Sequence, residues 1–299
     1  MTDPVPGTAA ELPAAAPDQP SAPPGAPAKP SPAAAIWREV KGIAWVLLAV
    51  LAFHSFVAKP FYIPSESMMP VLLKGDRLVV GKYPYGWSWV SPSFHILPHW
   101  KGRLFGQMPK RGDIVIVTPP GQSDDYIKRV IGLPGDTIAL RGGRLILNGQ
   151  PVQAEKRPPA MVPVDANVPC GMEFAGSLVQ AGGRDYCRLP IVRETLPGGA
   201  TYDTIDLGES MGDDIPPVRV PAEHVFLMGD NRDRSADSRF SLGPPENGLG
   251  GPVPWENIGG RAEFITFSLD GTTSLFNPLS WFQALRGGRA GKSLRSANE

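Results

Sequence analysis

With 29 basic and 29 acidic side chains among its 299 residues, the chain has no net charge, which argues against a nucleic-acid partner. The length suffices for one or two ordinary cores. Glycine and proline, 34 and 35 residues, together approach the share that marks disorder, and many of the prolines lie near the N-terminus.

Residues 1–35 are mostly Ala and Pro. So few large apolar side chains cannot offset the entropy of ordering, which predicts a disordered, partly polyproline-like cytoplasmic tail. Residues 36–58 follow, with the apolar run GIAWVLLAVLAFHSFVA from Gly42 to Ala58. That run lies at the short end of the spanning range and predicts a single N-terminal transmembrane anchor. A cleaved leader fits less well, because a cut after Ala58 would put bulky Phe56 at the third residue before it. Arg38 and Lys41 precede the run and favour an N-terminus in the cytoplasm, with the rest of the chain outside.

Just beyond the anchor comes Pro64-Ser65-Glu66-Ser67-Met68-Met69-Pro70, and later Tyr126-Ile127-Lys128-Arg129-Val130-Ile131-Gly132. A serine held in a proline-bracketed loop and a lysine in an apolar strand are the parts of a Ser/Lys hydrolase. The lysine amine serves as general base once desolvation lowers its pKa from about 10.4 toward neutrality. Ile127, Val130 and Ile131 supply apolar surroundings. In an extended strand Lys128 and Arg129 point to opposite faces.

Between and after these motifs, short apolar runs alternate with turn residues. Runs at 77–80, 114–117, 126–131, 137–140, 144–147, 225–228 and 262–267 predict strands, and Gly142-Gly143 and Asn148-Gly149 predict hairpin turns. No long helical period appears after the anchor, so the predicted class is mainly β and antiparallel. Cys170 and Cys187 can close a disulfide in an oxidising compartment, the alternative being two free buried thiols. Two cysteines without a nearby histidine give too few ligands for zinc, and no metal or other cofactor is predicted.

A third segment reads Gly229-Asp230-Asn231-Arg232-Asp233-Arg234-Ser235-Ala236-Asp237-Ser238-Arg239. Together, in this order behind an anchor, the three segments resemble those of bacterial type I signal peptidases, over roughly residues 55–268 and weakly from 150 to 222. The resemblance implies a catalytic domain in two parts, 59–149 and 223–275, with a smaller variable β-rich domain, 150–222, inserted between them. It implies Ser67 as nucleophile and Lys128 as general base. Ser65 would join the Ser67 amide in an oxyanion hole, and Ser235 would orient the lysine. Phe61, Ile63, Pro64, Met68, Tyr126 and Ile127 would line pockets for small side chains before the cut. Arg129, Asp230, Asp237 and Arg239 would hold the loops around the site. The implied partners are exported preproteins with Ala-X-Ala type cleavage sites, membrane lipids and a nearby secretion translocon. The implied location is the inner (cytoplasmic) membrane of a bacterium, with the catalytic domain on its outer, periplasmic side.

Residues 243–251 interpose a Gly/Pro-rich loop where the family pattern passes quickly into a Val-Pro strand, here Val253-Pro254. Residues 276–299 form a basic tail that could touch lipid. Aromatic residues also crowd 83–105, as at a membrane interface. Among competing readings, a Ser-His-Asp hydrolase has four histidines to draw on, His54, His95, His99 and His224, none in a recognisable triad motif. A self-cleaving repressor-type protease would be cytosolic and DNA-binding. A peptidase dedicated to conjugative transfer lies closer. An inactive scaffold would not need Ser65, Ser67, Lys128 and Ser235 together.

Overall fold

The computed structural model describes residues 31–92, 97–174 and 176–296, with the Glu173 side chain also left out. Most of the expected N-terminal tail lies outside these residues, as do Phe94 and His95. The described residues divide into two units, one ending at Leu47 and the other beginning at Leu48.

Helix α1 runs from Pro32 to Phe56. Ser31 caps it, its hydroxyl accepting from the Ala34 amide at 3.3 Å, and Pro32 fits the first turn because it needs no donor there. Its apolar side chains, Trp45 and Leu47 among them, are exposed. Among the described residues, no helix is long and apolar enough to cross a membrane. The physical reason lies at both ends. Arg38, Glu39 and Lys41 occupy the first turns and helicity stops at Phe56, so the uncharged stretch is helical for only about 22 Å against a hydrocarbon core of about 30 Å.

Fifteen strands among the described residues build three antiparallel sheets. In chain order they begin with β1 (Ala58–Tyr62), β2 (Asp76–Gly81), β3 (Ile114–Val117) and β4 (Tyr126–Gly132). A meander follows in β5 (Thr137–Arg141), β6 (Arg144–Leu147) and β7 (Gln150–Pro151). Then come β8 (Gln153–Pro163), β9 (Leu178–Ala181), β10 (Arg184–Thr195) and β11 (Thr201–Thr204). The last four are β12 (Ile215–Arg219), β13 (His224–Met228), β14 (Val253–Pro254) and β15 (Ile258–Ser268). The largest sheet has the order β1-β2-β15-β3-β4-β13-β14. Its centre, β3, reads Ile-Val-Ile-Val and is buried along its whole length, as a strand covered on both faces must be. The second sheet is β12-β5-β6-β7, and the third is β11-β10-β8 with β9 on β10.

Hairpins form where the sequence predicts them. Gly142 and Gly143 have φ of 51° and 74°, and Asn148 and Gly149 have φ of 54° and 77°. Two consecutive positive φ values give the tight turn whose twist matches the flanking strands. The third sheet lies wholly within 150–222, whereas β7 and β12 at the two ends of that range pair with β6 and β5. Cys170 and Cys187 are bridged, with Cα atoms 5.5 Å apart, and Cys187 packs in a core with Met69, Leu73, Val168 and Leu189. A short helix α2 (Pro278–Gln283), absent from the sequence-based expectation, begins at Asn277, whose side chain accepts from the Leu279 amide. The chain beyond it packs back on the largest sheet rather than trailing free, with Leu294 buried beside Ile63, Met68 and Leu78.

Candidate active site

Ser67 lies in the loop between β1 and β2. Met68 and Met69, both fully buried, root the loop in two separate cores. Two turn bonds fix its path, Met69 N to Glu66 O at 3.0 Å and Leu72 N to Met68 O at 2.9 Å. Ser67, 5 % exposed, is thereby held in a cleft.

Strand alternation in β4 decides what meets it. Lys128 points to the loop and donates to Ser67 Oγ at 3.2 Å and to the Ile127 carbonyl at 3.0 Å. Arg129 turns to the other face, where it grips Asp230 through two bonds of 2.7 and 2.6 Å and lies over the Tyr202 ring. Burial strips water from the Lys128 ammonium and lowers its pKa to about 8, with Asp237 and Asp230 pulling back up and Arg239 pushing further down. A neutral amine is thus accessible near physiological pH, directly beside a hydroxyl.

Gly229 brings the third motif against the Ser67 loop. A Cβ there would lie 2.2 Å from Ser235 Oγ and 2.5 Å from the Ser67 carbonyl oxygen, so no other residue fits. The Asn231 amide donates to that same Ser67 carbonyl at 3.1 Å. Asp237 holds the motif's return, accepting from the Gly229 amide at 2.9 Å and from Arg239 Nε at 2.9 Å. Burial raises the Asp237 carboxyl, but Arg239, the Gly229 amide and Lys128 together bring it below its ordinary value. Ser235 Oγ is buried and has no hydrogen-bond partner among the described residues.

Ser65 Oγ lies 3.3 Å from Ser67 Oγ. Both serines and Lys128 line a cavity of about 480 Å³, walled by Phe61, Pro64, Tyr126 and Ile127. Ile63 and Met68, expected at its wall, do not line it and are fully buried in the core beneath. Four lining residues escaped the sequence reading: Asp124, Asp125, Arg234 and Ala236. Their positions, next to Tyr126 and on either side of Ser235, were the available signal. β13 pairs with β4 from Arg129 to Gly132, so among the described residues the Tyr126–Lys128 edge has no strand neighbour on that side. The Tyr126 hydroxyl donates to the Asn247 carbonyl at 3.2 Å, so the 243–251 loop reaches the cleft rim.

No described histidine lines the cleft. The His99 ring lies tilted against that of Trp89, centroids 5.2 Å apart, and His224 Nδ1 contacts the Ala222 carbonyl. Among the described residues no group of acidic, histidine or cysteine side chains could hold a metal ion.

Comparison with known proteins gives a concordant result. Residues 36–267 match the family model described as signal peptidase, peptidase S26. The signal peptidase I of Rickettsia typhi is 32 % identical over 280 residues, covering 88 % of this chain and 95 % of that one. That of Rickettsia prowazekii is 33 % identical with the same coverage. A crystal structure of a signal peptidase I from Enterococcus faecalis V583 aligns with 52 % of this chain and 97 % of its own, at 23 % identity and a TM-score of 0.26. With a family match over most of its length and relatives of this similarity, the chain belongs to the signal peptidase family, peptidase S26.

Proposed function

We propose that the chain is a serine endopeptidase that removes signal peptides from exported preproteins with Ser67 and Lys128 as its catalytic pair. The observation that carries this is the 3.2 Å approach of a buried, pKa-lowered lysine amine to a serine hydroxyl in an open cleft. Neutral Lys128 takes the proton as Ser67 Oγ attacks the carbonyl carbon of the residue before the cut. The Ser65 hydroxyl and the Ser67 amide stabilise the oxyanion, a contribution of about 10²–10³ in rate per donor. The protonated lysine then gives its proton to the departing amine. The acyl-enzyme is hydrolysed by a water that Lys128 deprotonates in turn. Ser235, buried against Gly229 and making no hydrogen bond to Lys128, is the residue to which the resemblance gives the role of orienting the amine.

The substrate enters as an extended strand along the open Tyr126–Lys128 edge, in the manner of β-strand addition. Phe61, Pro64, Tyr126 and Ile127 offer it shallow apolar surface, which suits small side chains of the Ala-X-Ala type before the cut. The exposed apolar surface of α1 and the run to Ala58 hold the chain to the bacterial inner membrane, with the catalytic unit on the periplasmic side close to where translocated chains emerge. The test is incubation of the purified protein with a preprotein carrying an Ala-X-Ala site, beside Ser67→Ala and Lys128→Ala. Cleavage at that site by wild type and by neither variant is the expected result; full cleavage by Lys128→Ala would remove the pair from the mechanism.

A further inference from the structure

The loop that carries Ser67 runs to Asp76, and its far half is held by the C-terminal segment Leu285–Leu294. Arg289 reaches in with Nε 2.8 Å from Asp76 Oδ1 and Nη2 3.0 Å from the Val71 carbonyl oxygen; Nη2 also pairs with Asp76 Oδ2. The same Asp76 carboxylate, fully buried, accepts from the Leu73 amide at 2.8 Å. One ion pair thus closes the turn Val71–Asp76, and Leu72 N passes the constraint to Met68 O, one residue from the nucleophile. Arg286 adds a second tether, donating to the Lys74 carbonyl at 2.8 Å while its other nitrogens hold Asp165 at 2.7 and 2.8 Å. The segment is itself anchored to β15, through Gly291 N to Ile265 O, Ile265 N to Lys292 O and Leu294 N to Glu263 O. Leu294 shares the core on which Met68 sits.

We propose that this C-terminal segment is a strap that sets the position of the nucleophile, with Arg289 as a positioning residue acting on Ser67 through Asp76 and Val71. Arg289 touches neither substrate nor the reacting atoms. Its guanidinium supplies a planar fork to a buried carboxylate and a carbonyl at once, a geometry that an ammonium reproduces only in part. Displacement of a reacting group by about 1 Å costs on the order of 10²-fold in rate, so losing the fork should act on turnover rather than on binding. The proposal rests on the Ser67/Lys128 reading of the site.

The experiment uses the full chain in detergent, assayed well below its melting temperature with a signal-peptide-bearing substrate. Arg289→Ala is expected to lower kcat by about 10–10²-fold with KM within about twofold of wild type, and to leave the midpoint of the acid limb of the rate profile unmoved, since Lys128 keeps its surroundings. Arg289→Lys should recover part of kcat. Arg111→Ala, which breaks the Arg111–Asp136 pair at the turn between β4 and β5, should keep wild-type kcat. Wild-type kcat in a folded Arg289→Ala overturns the strap, as does a loss expressed in KM alone. Should Arg289→Ala fail to fold, Arg289→Lys decides, because unchanged kcat in that variant overturns the proposal equally. Ser67→Ala and Lys128→Ala are assayed alongside. Activity surviving in them defeats the Ser/Lys reading itself, whereas their silence with an unaffected Arg289→Ala defeats the strap alone.

Discussion

Gly229 and Ser235 approach so closely that a single added methyl group on Gly229 would sit 2.2 Å from the Ser235 hydroxyl. The same methyl group would meet the Ser67 carbonyl at 2.5 Å. Neither contact can be relieved by a flexible side chain, because one partner is backbone and the other is a short side chain whose own Cβ is 2.5 Å away. Gly229→Ala is therefore expected to push the third motif off the Ser67 loop and to reduce cleavage by on the order of 10²-fold. Steady-state kinetics and a melting curve check this; wild-type turnover would show that the two loops have slack that these distances deny.

Lys128 dictates opposite responses of activity and stability to substitution. Its folded pKa of about 8 is below the unfolded value of 10.5, so between these values the unfolded state binds more protons. Stability then rises as pH rises from about 8 toward 10.5, and below about 8 the whole cost of burying the charge is present. A shift of that size corresponds to about 3 kcal/mol. Lys128→Met should abolish cleavage yet raise stability at neutral pH, a gain that shrinks as the pH rises through that window. Denaturant melts at three pH values test it. Lys82, also buried with its pKa lowered to about 8 by burial and by Lys59, adds a similar slope of its own, so the comparison is between wild type and variant and not within one profile.

On the proposed mechanism, in which neutral Lys128 accepts the serine proton, the acid limb of the cleavage rate is expected near pH 8. Asp237 is the largest influence raising the lysine pKa, and Arg239 opposes it. Asp237→Asn should accordingly move the limb to lower pH, Asp230→Asn should move it less, and both should lose stability by leaving a buried arginine short of its partner. A limb that instead follows a histidine substitution and titrates near 6.5 would point to a different base.

The site was far more legible in the sequence than its supports. Ser65, Ser67, Lys128 and Ser235 are polar groups in apolar or turn-rich runs, and such misfits stand out. Gly142-Gly143 announced its hairpin because two positive φ values have few other causes. Arg286, Arg289 and Arg295 read instead as a solvated basic tail, since their partners Asp165, Asp76 and Glu263 lie 121, 213 and 32 residues away and leave no local mark. Helix α2 spans six residues, too few for a helical period, and only its Asn-Pro start signalled it. Ile63 and Met68 sit in a loop, where strand alternation cannot say which apolar side chain faces the cleft and which the core.

The Cys170–Cys187 bridge closes a separation of 17 residues, a constraint on the unfolded chain worth about 3 kcal/mol. Cys187 packs in the core that also receives Met69 and Leu73 of the Ser67 loop. These apolar contacts are unaffected by reduction, because a thiol occupies nearly the same volume as half a disulfide. Reduction is therefore expected to lower the melting temperature by about 5–10 °C while leaving turnover at 25 °C within twofold of the oxidised protein. Cys187→Ala is expected to behave differently, since it removes a buried sulfur beneath Met69 and leaves a small void, with a further stability loss of about 1 kcal/mol. Parallel melts and kinetics of oxidised, reduced and substituted protein separate the two effects. A fall in turnover on reduction, at a temperature where the reduced protein remains folded, would mean that the bridge itself and not the packing around it holds the loop in place.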